Sequence, residues 1–166
     1  MHLREDMPFS FYVIDFLFRK LLRQNVRVKW AIHHTSTIKC PEMVTRGKQV
    51  YPGDSPNVYI NALHGVSVGD YTNIGPHVSI ISANHNAINN HSFDEAQPIR
   101  IGKNCWLGSH AVVLPNVVLG DFTIVGAGSV VTKSFPEGYC VLAGNPARII
   151  KLLNREACEQ FASSRK

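Results

Sequence analysis

Residues 101–136 read IGKNCW LGSHAV VLPNVV LGDFTI VGAGSV VTKSFP, and that spacing of six decides the fold. The first place of each unit is aliphatic: Ile101, Leu107, Val113, Leu119, Val125 and Val131. The second place holds Gly102, Gly108, Gly120 and Gly126, interrupted by Leu114 and Thr132. The fifth stays small or moderate at Cys105, Ala111, Val117, Thr123 and Ser129. A period of six is neither the 3.6 of a helix nor the 2 of a strand. It describes a short strand and a corner, repeated, with first- and fifth-place side chains turned inward. The second-place glycine either relieves crowding or supplies a positive φ at the bend. Stacked coils pair each strand with the one a full turn later, about 4.8 Å away. Each coil buries its inner face only against its neighbours, so both ends of the array need caps.

Upstream, ALHGVS VGDYTN IGPHVS IISANH carries the same phase from Ala62 to His85. The rhythm then stops, and residues 86–98 form a polar run with Asn86, Asn89, Asn90, His91, Asp94 and Glu95. The run reads as an excursion from the coil. The GAG at 126–128 is no dinucleotide fingerprint, because its glycines belong to the array.

Outside the array lie two apolar segments. Residues 1–30 form an N-terminal unit, strongly apolar from Phe9 to Leu22. It carries Asp15, Arg19 and Lys20 and falls short of the roughly 20 apolar residues that span a bilayer. Asp6 precedes it and no small-residue cleavage site follows, so a signal peptide is not expected. As a helix it sets Phe9, Val13, Phe16, Leu17 and Leu21 on one stripe, with Asp15, Arg19 and Arg23 opposite. The plain expectation is a cap whose stripe covers the open end of the core. The alternative is a foot, through residues 8–24, on a membrane surface or a partner. Residues 31–145 make the coil. Residues 146–166 read as a second capping helix, N-capped by Asn145 with Pro146 in its first turn. Its stripe is Ile149, Ile150, Leu153, Ala157 and Phe161.

The 166 residues suffice for one domain, and 45% hydrophobic against 17% charged residues is a globular composition. Lys+Arg 17 against Asp+Glu 12 gives +5, which suits an anionic ligand or surface. The basic residues form no run interleaved with aromatics, so nucleic acid is not expected. Cys40, Cys105, Cys140 and Cys158 contain no CxxC pair, which fits a reduced cytoplasmic compartment, with or without membrane association.

The strings IGKNCWLGS, VGAGSVVTK and AGNPAR resemble, in combination, the hexapeptide-repeat acyltransferases, nearest the galactoside/maltose O-acetyltransferase branch. The likeness is strong over 99–151, fair over 58–85 and absent before about Val50. It implies an all-β, left-handed parallel β-helix. The hand comes from the likeness alone, since general rules favour right-handed crossovers. It also implies a homotrimer with acetyl-coenzyme A, the donor substrate, bound in the groove between subunits.

The family's catalytic histidine stands nine residues after the proline of the preceding coil. From Pro76 that offset lands on His85. An imidazole, titrating near 6.5 in free solution, suits the role of general base. It would take the proton of an acceptor hydroxyl or amine as that group attacks the thioester, with no acyl-enzyme. Resemblance puts the backbone N–H that holds the developing oxyanion at Ser109. Trp106 matches the family's coenzyme-lining tryptophan. Ala127, Thr132 and Lys133 match later coenzyme contacts, and Arg148 and Lys151 would meet its phosphates. Lys151 stands where the family often has Arg, which keeps the charge without bidentate contact. Asn61 matches the asparagine that contacts the acceptor sugar, and Asp94 and Glu95 lie in the loop that walls that site. His64, His77 and His110 are expected on the outer face.

The acceptor implied is a sugar or a surface-polysaccharide precursor, and a lipid-linked one would suit a membrane-touching helix. No metal is expected. One enzymatic rival is a β-helix zinc carbonic anhydrase. Its paired histidines stand five apart, whereas His85 and His91 stand six apart. The other rival is a non-catalytic trimeric scaffold.

Overall fold

The computed structural model describes residues 7–165. The first six residues of the N-terminal unit, Asp6 among them, and Lys166 lie outside the described residues. The chain winds as a three-sided coil, visiting three sheets in turn. Sheet one holds β1 (Thr37–Lys39), β3 (Tyr59–Asn61), β6 (Ser79–Ile81), β9 (Val112–Val113) and β12 (Val130–Val131). Sheet two holds β2 (Val44–Arg46), β4 (Val66–Val68), β7 (Ile99–Ile101) and β10 (Val118–Leu119). Sheet three holds β5 (Asn73–Ile74), β8 (Trp106–Leu107), β11 (Thr123–Val125), β13 (Cys140–Gly144) and β14 (Ala147–Leu152). All these strand pairs are parallel except β13 with β14.

In the C-terminal half one turn takes three hexads. Arg100 pairs with Val118, Trp106 with Ile124 and Val112 with Val130, each eighteen residues on. Earlier turns are longer: Thr37 pairs with Tyr59 and Tyr59 with Ser79. Those larger corners blur the period before Val50. The first- and fifth-place residues of 101–131 line the interior, none more than 2% exposed. Among them the Thr123 hydroxyl donates to the Gly120 carbonyl at 2.7 Å, and the Ser129 Oγ accepts from Gly144 N at 3.2 Å. These two interior hydroxyls are thus hydrogen-bonded, as burial demands.

The two roles offered for the second-place glycine separate here. Positive φ falls at the fourth place instead, on Tyr71, His77, Asn104, His110, Asn116 and Phe122. A left-handed residue with a side chain costs roughly 1–2 kcal/mol. Stacking between fourth-place rings of neighbouring coils offsets part of that, as with His77 and His110 at 4.4 Å. The second-place glycine is there for space. A Cβ on Gly69 would meet the Gly102 carbonyl carbon at 2.6 Å and Lys103 N at 2.8 Å, both backbone of the next coil.

Helix α1 (Phe9–Lys20) closes the N-terminal end with the opposite face to the one expected. Phe11, Tyr12, Asp15, Phe18 and Arg19 turn toward the coil, while Phe9, Val13, Phe16, Leu17 and Leu21 are exposed. The cause is the first coil's backbone, which has no neighbour on that side to pair with. Arg19 donates from Nη1 to the Val28 carbonyl and from Nη2 to the Trp30 carbonyl. Asp15 Oδ1 accepts from Arg19 Nε at 2.9 Å and from Ile32 N at 3.3 Å.

The C-terminal expectation is also corrected. Residues 146–152 are not helical. Asn145 and Pro146, joined by a cis peptide bond, turn β13 back into β14, so Ile149 and Ile150 belong to a strand. The last strand of sheet three would otherwise leave its edge unpaired, and β14 satisfies it. Helix α2 (Arg155–Ser164) begins later, with Asn154 Oδ1 accepting from Ala157 N at 2.7 Å.

Equilibrium unfolding in guanidinium at fixed protein concentration tests the spacing argument. Gly69→Ala is expected to cost at least about 2 kcal/mol by overpacking. Gly128→Ala, whose Cβ would touch nothing within 4 Å but whose φ is +69°, is expected to cost about 1 kcal/mol.

Candidate active site

The excursion leaves the coil at the corner between sheets one and two, directly after β6, and rejoins it at β7. It is a small self-bonded hairpin. Asp94 N donates to the Asn84 carbonyl at 3.0 Å and Asn86 N to the Ser92 carbonyl at 2.9 Å. The Asn86 amide donates to Asp94 Oδ1 at 2.7 Å, and its own oxygen accepts from Ile88 N and Asn89 N. One carboxylate oxygen of Asp94 is therefore committed to the loop itself. Glu95 is exposed nearby, and Ile88 at the tip is 98% exposed.

His85 sits at the root of this hairpin, bridged through its backbone to Phe93. The Phe93 ring lies 4.4 Å from the imidazole, tilted 34°. Both rings face solvent, so Phe93 restrains His85 without sealing it off. Sequence reasoning passed over Phe93. Its one signal was a lone aromatic in an otherwise polar run.

The other candidates divide between the two edges of sheet one. Asn61 ends β3, and Thr132 and Lys133 follow β12, so they share His85's edge between sheets one and two. Lys133 Nζ rests 5.6 Å over the Phe135 ring. Ser109 and Ala127 precede β9 and β12, at the opposite edge between sheets three and one. Gly128 N donates to the Ser109 carbonyl there at 2.9 Å, tying the two coils together. Three extended residues span about 10 Å, so the width of sheet one separates His85 from Ser109. A single copy of the chain does not bring them together.

Trp106 stands on sheet three, 52% exposed, in a groove of about 460 Å³ between that sheet and α2. Ile124, Phe122, Leu153, Ala157 and Phe161 supply its apolar walls. Arg148 and Lys151 lie exposed on β14, beside the same sheet. Arg148 Nη1 donates to the Ala147 carbonyl at 2.9 Å.

Of the remaining histidines, His77 and His110 are outward, stacked at 4.4 Å with planes 8° apart. His64 departs from expectation. It is half-buried, and its Nε2 is enclosed without a hydrogen-bond partner among the described residues. Its backbone N donates to Ser82 Oγ at 3.0 Å, under the root of the excursion. Burial, and secondarily the charge of His34, hold His33 below the usual imidazole range. Among the described residues no three His, Cys, Asp or Glu side chains are grouped to hold a metal ion. Burial pushes the Cys105 thiol up to about 11 and raises Cys140 as well. Neither is a thiolate nucleophile at neutral pH.

The chain is similar to several known proteins. Residues 98–133 match the family model described as bacterial transferase hexapeptide (six repeats). The WcaF protein of Escherichia coli, provisionally named a colanic acid biosynthesis acetyltransferase, is 33% identical over 135 residues, covering 81% of this chain and 70% of WcaF. The galactoside O-acetyltransferase of Escherichia coli is 39% identical over 92 residues, covering 54% of this chain. The chain spans 45% of that enzyme's length and 33% of a matching Staphylococcus aureus protein. Among solved structures, a galactoside acetyltransferase in complex with coenzyme A superposes with a TM-score of 0.63 at 31% identity. That match covers 75% of this chain and 65% of the other.

A thiol reagent at neutral pH is expected to leave Cys105 and Cys140 unmodified in the native protein and to label them on unfolding. Peptide mapping after labelling checks this.

Proposed function

The chain belongs to the bacterial hexapeptide-repeat transferases, and we propose that it moves an acetyl group from acetyl-coenzyme A to a sugar hydroxyl or amine, with His85 as general base. In this reading the coil is left-handed, as in the family, and residues 31–145 with the excursion at 86–98 form the catalytic unit. The acceptor is a sugar or surface-polysaccharide precursor, and the compartment is cytoplasmic.

The observation that carries the reading is the division of candidates across sheet one. A thioester carbonyl under attack needs a base on the acceptor and a donor on its oxygen, both within about 3 Å of the reacting atoms. His85 and Ser109 cannot serve one carbonyl from opposite edges of a single copy. They can if copies pack side by side, so that the His85 edge of one faces the Ser109 edge of the next. A threefold ring does this at every seam. The exposed loop tip at Ile88 would then reach the neighbouring copy.

At such a seam Asn61, Asp94 and Glu95 would hold the acceptor beside His85. Asp94 would offer the oxygen not taken by Asn86. Trp106 and Ala127 would line the coenzyme from the facing copy. Thr132 and Lys133 would contact it further along, and Arg148 and Lys151 would meet its phosphates. His85 takes the acceptor proton as the oxygen or nitrogen attacks. The tetrahedral oxyanion is held by the Ser109 N–H. Collapse of that intermediate expels the coenzyme thiolate, which recovers a proton. Burial raises the Cys105 and Cys140 thiols, so the reading assigns neither a covalent acyl intermediate.

Thiol release from acetyl-coenzyme A, measured against a panel of sugars, tests the proposal. His85→Ala is expected to lower turnover at least about a hundredfold while leaving the melting temperature in place. Undiminished turnover in that variant overturns the assignment.

A further inference from the structure

Helix α1 presents its apolar side to solvent, because Asp15 and Arg19 use the other side to bond the end of the coil. Phe9, Phe16, Leu17, Leu21, Leu22 and Val26 are each 50–80% exposed, and they continue one another along the helix and the segment after it. Lys20, Arg23, Arg27 and Lys29 are exposed among them. Between Met7 and Lys29 the sole acidic residue is Asp15, and Arg19 already occupies it. No described helix is long and apolar enough to cross a membrane.

We propose that α1 and the segment to Lys29 dock this protein on an anionic lipid bilayer surface. The helix would lie in the interface plane, with Phe9, Phe16 and Leu17 below the headgroups and the basic side chains against lipid phosphates. Aromatic and aliphatic residues beside cations that have no ion pair among the described residues match the two layers of such an interface. A second copy of the chain is the weaker occupant. Two such faces pressed together would oppose four cations, without an ion pair among the described residues, with four more in a dry contact. The inference stands on the helix orientation and does not require the acyl-transfer reading.

Co-sedimentation of the full chain with vesicles decides it, without any substrate present. The protein should pellet with phosphatidylcholine vesicles that contain phosphatidylglycerol, and much less with phosphatidylcholine alone. Phe16→Asp with Leu17→Asp should weaken binding at least about tenfold, with the melting temperature unchanged because both side chains are outward. Lys20→Glu with Arg23→Glu should weaken it and reduce its sensitivity to salt. Failure of the intact chain to bind the anionic vesicles overturns the proposal. So does unchanged binding by the Phe16/Leu17 variant. So does a lipid-free assembly larger than a trimer that this variant dissolves, which would assign the face to another copy.

Discussion

The closeness of successive coils governs this molecule. Backbones stacked about 4.8 Å apart leave no room for a side chain just past the leading aliphatic residue at two of the three corners, where glycine stands. At the corner after sheet one, Ile81, Leu114 and Thr132 fill that place. Gly69 and Gly102 lie where any Cβ would strike the next coil's backbone. That restriction flattens the sides, pushes bending to the fourth place of each unit, and leaves corners as the only outlets. The chain uses one outlet, after β6, and the excursion there carries His85. The same stacking leaves an unpaired coil at each end. Arg19 and Asp15 bond the first, and β14 pairs the last.

The period of six was legible because one geometric slot selects each place. The leading and fifth side chains share a narrow interior, so their sizes repeat along the chain. What was misread lies where the stacking stops. Helix α1 was read by hydrophobic pattern, which assumes that the apolar stripe faces the core. At a coil end, open carbonyls on Val28 and Trp30 compete with apolar surface, and Arg19 with Asp15 answers them. The signal available was an Asp and an Arg one turn apart on the polar side of an otherwise apolar helix. Residues 146–152 have a helical pattern too, yet the open edge of β13 took them as a strand. The fourth-place bends were missed because His77, Asn104 and His110 adopt a conformation usually left to glycine.

The site was legible in part. The offset from Pro76 and the strings around Trp106 and Ser109 nominated candidate residues one by one. Their distribution over two edges was not visible, since a sequence does not say which corner each hexad occupies. Nor was the pairing of Phe93 with His85, which depends on how the excursion folds back. Once the corners are assigned, the catalytic reading and the assembly become one question. The proposed base, His85, and the proposed oxyanion donor, Ser109, belong to different copies, or they do not act together.

A structure of the full chain with coenzyme A bound answers that question most directly. The account predicts three copies about a threefold axis, with the coenzyme sulfur between His85 of one copy and the Ser109 N–H of the next. A monomer, or a coenzyme lying wholly on one copy with His85 remote from its sulfur, would contradict it.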